Sequence, residues 1–175
     1  MFVLGIDPGL TRCGYGVVER RGSVLSAAAG GVITTDRLLS LPERLRELYT
    51  ELRSLIEETQ PSAVVVERVF FQTNARTAMA TGQAAGVALL VAAQSGRPIA
   101  QYTANEVKMA VVGYGAATKD QVQRMVASML RLPVVPSPPD VADALALALC
   151  HLATEPLRRA LQDAGAKLQD AGAIR

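Results

Sequence analysis

Apolar and polar positions change rhythm several times along the chain, and each change marks an element. Val3-Leu4-Gly5-Ile6 is a short apolar run that ends on Asp7 and breaks at Pro8-Gly9, as a buried strand does before a turn. Side chains alternate along a strand, so Val3, Gly5 and Asp7 share one face and Leu4 and Ile6 the other. Gly5 is expected to leave open space beside the Asp7 carboxylate. Tyr15–Val18 and Val24–Val32 read as two more strands around a turn at Arg20-Arg21-Gly22, an antiparallel meander with the first. Leu41, Leu45, Leu48, Leu52 and Leu55 then follow the rhythm of one apolar helix face. Ser40 and Glu43 open that helix as a capping box, and Pro61 ends it.

Ala63-Val64-Val65-Val66 is apolar throughout, the mark of a central strand covered on both faces, and it ends on Glu67. A long helix follows over roughly 74–94. Its Gly82-Gln83-Ala84-Ala85-Gly86 stretch needs a reason, since glycine costs helix stability. The two readings are close packing on the sheet and a subunit interface. Pro98–Tyr102 is a fifth strand. Thr103 with Glu106 and Thr118 with Gln121 cap helices over 104–112 and 119–130, joined by the loop Gly113–Ala117. Four prolines between 133 and 139 make an extended connector, and the last helix runs from Asp140 through Leu152. Beyond Glu155 the pattern weakens, so residues 154–175 are expected to form a flexible tail after a domain over 1–153. The order βββαβαβααα describes an α/β domain with a five-stranded mixed sheet flanked by helices.

Composition narrows the class. The 175 residues suit one domain with a substantial core. Half of them are hydrophobic but aromatics are scarce and tryptophan is absent, so that core is mainly Ala, Val and Leu. A formal charge of only +2 means that nucleic-acid affinity must come from a local basic patch. Cys13 and Cys150 lack metal-ligand spacing and read as reduced thiols. Asp7 interrupts the first apolar run too early for a signal peptide. The longest apolar run, Ala84–Ala93, falls short of the ~20 residues that span a bilayer. The expectation is a cytoplasmic protein without a membrane partner.

The candidate chemistry lies in four acids. Asp7 and Glu67 each close an apolar strand, while Asp140 and Asp143 are three apart on one helical face. Three of them have ordinary accounts: Asp7 as a turn-maker before Pro-Gly, Glu67 as a solvated strand end, Asp140 as a helix-dipole acid. Asp143 does not. Its helix is apolar nearly all round, and no Lys or Arg lies within one turn of it. A carboxylate there is costly unless paired or metal-bound. Clustered carboxylates call for a divalent cation, and all-oxygen ligands favour Mg²⁺ or Mn²⁺ over zinc. Two such ions about 4 Å apart can activate a water and stabilise the leaving oxygen of a phosphodiester. His151 is too far along the helix to share that metal, roughly 12 Å at 1.5 Å per residue, and reads as a core or surface histidine.

Four motifs carry a resemblance. Gly5-Ile6-Asp7-Pro8-Gly9 with Gly14-Tyr15-Gly16, Glu67-Arg68-Val69-Phe70, Val107-Lys108 with Gly113–Lys119, and Asp140–Ala146 stand in the order and spacing of the RuvC family of Holliday-junction resolvases. The chain resembles that family over about residues 1–153. The resemblance implies a ribonuclease H-like fold, a homodimer, and Mg²⁺-dependent symmetric nicking of a four-way DNA junction that leaves 5′-phosphates. It also implies a branch-migration helicase complex as partner. By the same resemblance Asp7, Glu67, Asp140 and Asp143 hold the metal, two ions to a site. Some members carry His where this chain has Asp140, so the ligand set here is the all-carboxylate form. Lys108 and Lys119 map near the scissile phosphate, and Phe70 maps to the aromatic that contacts bases at the opened junction. Arg12, Arg68 and Arg76 flank the motifs and are candidate phosphate contacts, with solvated surface charge as the alternative for each. Three other readings compete: an actin-like ATP-binding phosphotransferase, a catalytically inactive junction-binding protein, and a plain ribonuclease H. The first needs a duplicated domain that 175 residues cannot supply.

Overall fold

A computed structural model describes residues 1–69 and 75–172; of Arg76 and residues 156–172 it describes the backbone. The strands are β1 (Phe2–Asp7), β2 (Arg12–Arg21), β3 (Val24–Thr34), β4 (Ala63–Glu67) and β5 (Ile99–Tyr102). The helices are α1 (Leu41–Thr59), α2 (Ala75–Gln94), α3 (Ala104–Val112), α4 (Lys119–Met129) and α5 (Pro139–Gly172). The sheet order is β3-β2-β1-β4-β5. β1, β2 and β3 pair antiparallel, whereas β4 joins β1 and β5 in parallel. The expected mixed sheet and element order are both present. Among the described residues no helix is long and apolar enough to cross a membrane.

Alternation along the strands divides the core in two. Leu4, Ile6, Val64 and Val66 face α1 and α2, packing with Leu48, Leu52, Ile56, Ala84 and Ala88. Val3 and Val65 face the other way, with Val107, Val122, Leu145 and Leu149 from α3, α4 and α5. The fully buried α1 stripe is Leu48, Leu52 and Ile56, an i, i+4 row, while Leu41 is exposed.

Three expectations change. Gly5 leaves no open space: a Cβ there would stand 2.0 Å from the Ala144 carbonyl oxygen of α5. Gly14 likewise meets the Asp140 carbonyl, at 2.3 Å from where its Cβ would be. The missing side chains let the α5 main chain lie directly on β1 and β2. Second, Gly82 and Gly86 meet nothing within 4 Å, so close packing on the sheet is not their reason. Third, α5 continues past Leu152 to Gly172. Residues 155–172 are mostly Ala, Leu, Gln, Arg and Lys, good helix formers that can propagate a helix already nucleated by the packed turns before them.

Candidate active site

The parallel register that pairs Ile6 with Val66 brings the next residues, Asp7 and Glu67, to neighbouring strand ends. The close approach of α5 sets Asp143 beside them. α3 and α4 add Lys108 and Lys119, and these five side chains line one cleft of about 380 Å³. Its remaining wall is largely apolar, including Val107, Val122 and Leu147. The cleft therefore holds three acids and two lysines against a wall that offers them few other polar partners.

The acids are neutralised in two ways. Asp7 and Glu67 are hydrogen-bonded to each other, and burial first, then the Glu67 charge, pushes Asp7 up to about 8. Glu67 is also raised by burial, although the hydrogen bond from Asp7 works the other way. Two carboxyls in contact do not both ionise readily, so the pair holds one proton between them. Asp143 is instead paired with a cation: Lys119 Nζ donates to its Oδ2 at 2.5 Å. Partial burial works against the Lys119 charge, but the Asp143 carboxylate outweighs it and holds the ammonium above its usual range. The neutralising cation missing within a turn of Asp143 thus comes from α4.

Asp140 sits one turn earlier and does not line the cleft. Arg12 Nη2, at the start of β2, donates to Asp140 Oδ2 at 2.9 Å. Burial raises Asp140, yet the Arg12 hydrogen bond and charge prevail and hold it below the usual carboxylate range. Its charge still reaches Asp7 and Lys119. Among the described residues no three ligating side chains converge closely enough to grip a metal as they stand. The donor set is nonetheless all carboxylate, the chemistry that suits a hard divalent cation. Arg12 and Lys119 each hold one of those carboxylates.

Arg68 follows β4 and is exposed; its main-chain N–H donates to the Tyr102 carbonyl at 2.8 Å, and the residue does not line the cleft. Phe70 and Phe71 lie outside the described residues, as does the Arg76 side chain. His151 is buried, with Nδ1 3.1 Å from the Tyr102 hydroxyl, in keeping with a core histidine. Cys13 and Cys150 are free and buried, and burial pushes both thiols up to about 12, which makes them poor ligands and nucleophiles.

Sequence reasoning missed the support of the turn after Asp7. Arg44 of α1 donates through Nε to Thr35 Oγ1 and through Nη2 to Thr11 Oγ1, both at 2.9 Å, and to the Leu10 carbonyl at 3.3 Å. Buried Thr35 donates to the same carbonyl at 2.6 Å. Helix periodicity assigns Arg44 to a polar face and nothing more, so no local signal marks it.

The fold recurs in a yeast enzyme. The yeast mitochondrial Holliday junction resolvase matches 85% of this chain and 77% of its own with a TM-score of 0.62, at 14% identity, which speaks for fold alone. A five-stranded mixed sheet of this order, flanked by helices, is the ribonuclease H-like fold. Within it, the family model described as crossover junction endodeoxyribonuclease RuvC matches residues 3–151. RuvC of Roseiflexus sp. is 49% identical over 160 residues, 91% of this chain and 95% of the relative. RuvC of Chloroflexus aggregans is 51% identical over 156 residues, 89% and 95%. The structure of Thermus thermophilus RuvC with a Holliday junction substrate matches with a TM-score of 0.85 at 35% identity, covering 90% of this chain and 96% of that one. The chain belongs to the RuvC family.

Proposed function

We propose that this chain cuts four-way DNA junctions, nicking two strands symmetrically. The observation that carries the reading is one cleft, in a RuvC fold, that gathers Asp7, Glu67, Asp143, Lys108 and Lys119. Asp7, Glu67, Asp140 and Asp143 would hold Mg²⁺, with Mn²⁺ as a substitute, two ions to a site. When bound, such ions supply an activated water and stabilise charge on the phosphodiester. The chain's own part begins with a proton: the one shared by Asp7 and Glu67 must leave before both carboxylates can act as ligands. Lys119, freed from Asp143, then faces the phosphate and neutralises the charge that builds on it, with Lys108 beside it. The water oxygen bonds to phosphorus, the bond from phosphorus to the 3′-oxygen breaks, and a 5′-phosphate and a 3′-hydroxyl remain.

Symmetric cutting needs two such sites related by a two-fold axis, and so a homodimer. α2 supports this, since Met79, Gly82, Gly86 and Leu90 form an exposed stripe along it. Phe70 is assigned to base stacking at the opened crossover, and Arg12, Arg68 and Arg76 to phosphates. The nuclease domain spans residues 1–153, with residues 154–175 as an appendage. The proposed setting is cytoplasmic, with a branch-migration helicase complex as partner.

The test is a synthetic mobile four-way junction incubated with and without Mg²⁺. Paired nicks at symmetric positions, bearing 5′-phosphates and dependent on the metal, are expected. Cleavage of an RNA–DNA hybrid in preference to the junction would favour the ribonuclease H reading. Junction binding without cleavage would favour an inactive binder.

A further inference from the structure

A second cavity, of about 390 Å³, lies against the Pro8–Arg12 turn and is lined by Thr11, Arg12, Arg37, Arg44, Thr77 and Thr81 among others. We propose that it binds a backbone phosphate of the junction DNA, on a stretch of strand away from the bond that is cut.

Its charge is the first argument. Three guanidinium groups line it and, among the described residues, no Asp or Glu does. Several arginines elsewhere on the surface stand in matched pairs: Arg21 with Glu19, Arg53 with Glu57, Arg124 with Asp120. Among the described residues Arg44 is held by neutral oxygens, those of Leu10, Thr11 and Thr35. Arg37 is exposed and has no carboxylate partner among the described residues. Arg12 is paired with Asp140, but Arg37 and Arg44 leave two uncompensated cations in one cavity of a chain whose formal charge is +2, which calls for an anion.

The chemistry of the lining selects which anion. Guanidinium groups interspersed with hydroxyls present donors to several oxygens of one tetrahedral group, and arginine favours phosphate for this reason. Arg44 is pre-oriented by its three hydrogen bonds, so it brings fixed charge at little further entropic cost. The cavity also lies beside the active site. Arg12 lines it while donating to Asp140, so one side chain joins the two. A strand leaving the acidic cleft across the turn would bring a later phosphate into it.

The inference rests on the junction reading above. Its test is junction binding in Ca²⁺ across a range of salt, for the wild type and for Arg37→Gln and Arg37→Glu. Arg37 makes no side-chain hydrogen bond among the described residues, so both variants should fold, and circular dichroism checks it. For every phosphate that the protein no longer neutralises, the log–log salt slope should become shallower by about 0.9. Arg37→Gln should shift the slope by about one such step, and Arg37→Glu should bind more weakly still. Single methylphosphonates placed along the strand should then weaken wild-type binding at a position away from the scissile bond, and weaken Arg37→Gln less there, since Arg12 and Arg44 remain. If the wild type binds the junction and Arg37→Gln binds with unchanged affinity and slope, the cavity is not a phosphate site. The same follows if the only Arg37-sensitive phosphate is the scissile one. If the wild type binds no junction at all, the junction reading itself fails.

Discussion

The two faces of the sheet are built by different rules. Towards α1 and α2, Leu4, Ile6, Val64 and Val66 interlock with Leu48, Leu52 and Ile56, side chain against side chain. Towards α5, glycines 5, 14 and 16 remove the side chains, and helix main chain or Leu145 fills the space they leave. Side-chain packing can adjust its rotamers to a change. A main-chain contact cannot, and so it acts as a fixed spacer. That spacer sets the distance between the strand acids and those of α5, which puts the site on the less forgiving face.

The largest expected effect tests the acids on that face. Asp7→Asn, Glu67→Gln, Asp140→Asn and Asp143→Asn should each reduce nicking by on the order of 10²–10³-fold or more, the scale for charge aimed at a reacting centre. Junction binding should survive in all four. A variant that nicks at the wild-type rate takes its residue out of the site.

A matched pair of substitutions then asks whether the faces differ in kind. Gly5→Ala places a Cβ 2.0 Å from the Ala144 carbonyl oxygen, so α5 must shift. Displacement of a reacting group by 1 Å costs about 10²-fold in rate, even where the protein stays folded. Leu48→Ala should cost about 2–5 kcal/mol of stability and leave the rate intact below its lower melting temperature. Melting curves and single-turnover nicking on both variants decide the matter. Activity that falls in proportion to stability in both would erase the distinction.

A subtler effect is on pH. Asp7 is raised to about 8 in the folded chain and Glu67 is raised with it, against about 3.9 and 4.3 unfolded. The folded state therefore binds more protons across that window, and its stability falls as pH climbs from about 4 through 8. Asp140 is depressed and contributes the opposite trend, lost only as pH falls through its lowered value. Melting in EDTA should thus occur at higher temperature near pH 5 than near pH 8, and Asp7→Asn should flatten the difference. An unchanged profile in that variant would refute the shared proton.

The smallest effect belongs to a glycine of the opposite kind. Gly86 faces open space. Gly86→Ala should raise helix stability by at most about 1 kcal/mol. Gly86→Leu should weaken self-association if a second copy covers that stripe. Equal sedimentation of Gly86→Leu and the wild type would remove α2 from the subunit interface.

What the sequence by itself determined is local. Strand alternation placed Val3 and Gly5 opposite Leu4 and Ile6, and the capping boxes at Thr103 and Thr118 formed with their partners three residues on. Asp7 and Glu67 were legible because each ends an apolar run. These signals lie within a few residues, where backbone geometry alone dictates which groups meet. Tertiary structure decided the rest. Lys119 reaches Asp143 across 24 positions and Arg12 reaches Asp140 across 128, and no spacing rule links either pair. It also decided that Gly5 is filled by α5 while Gly86 is open, though both are glycines in apolar surroundings. The physical reason is that periodicity says which face of an element is apolar, but not which element covers it or how closely. Those are set by the whole set of packed volumes, and they brought Asp7, Glu67 and Asp143 from three separate elements into one candidate site.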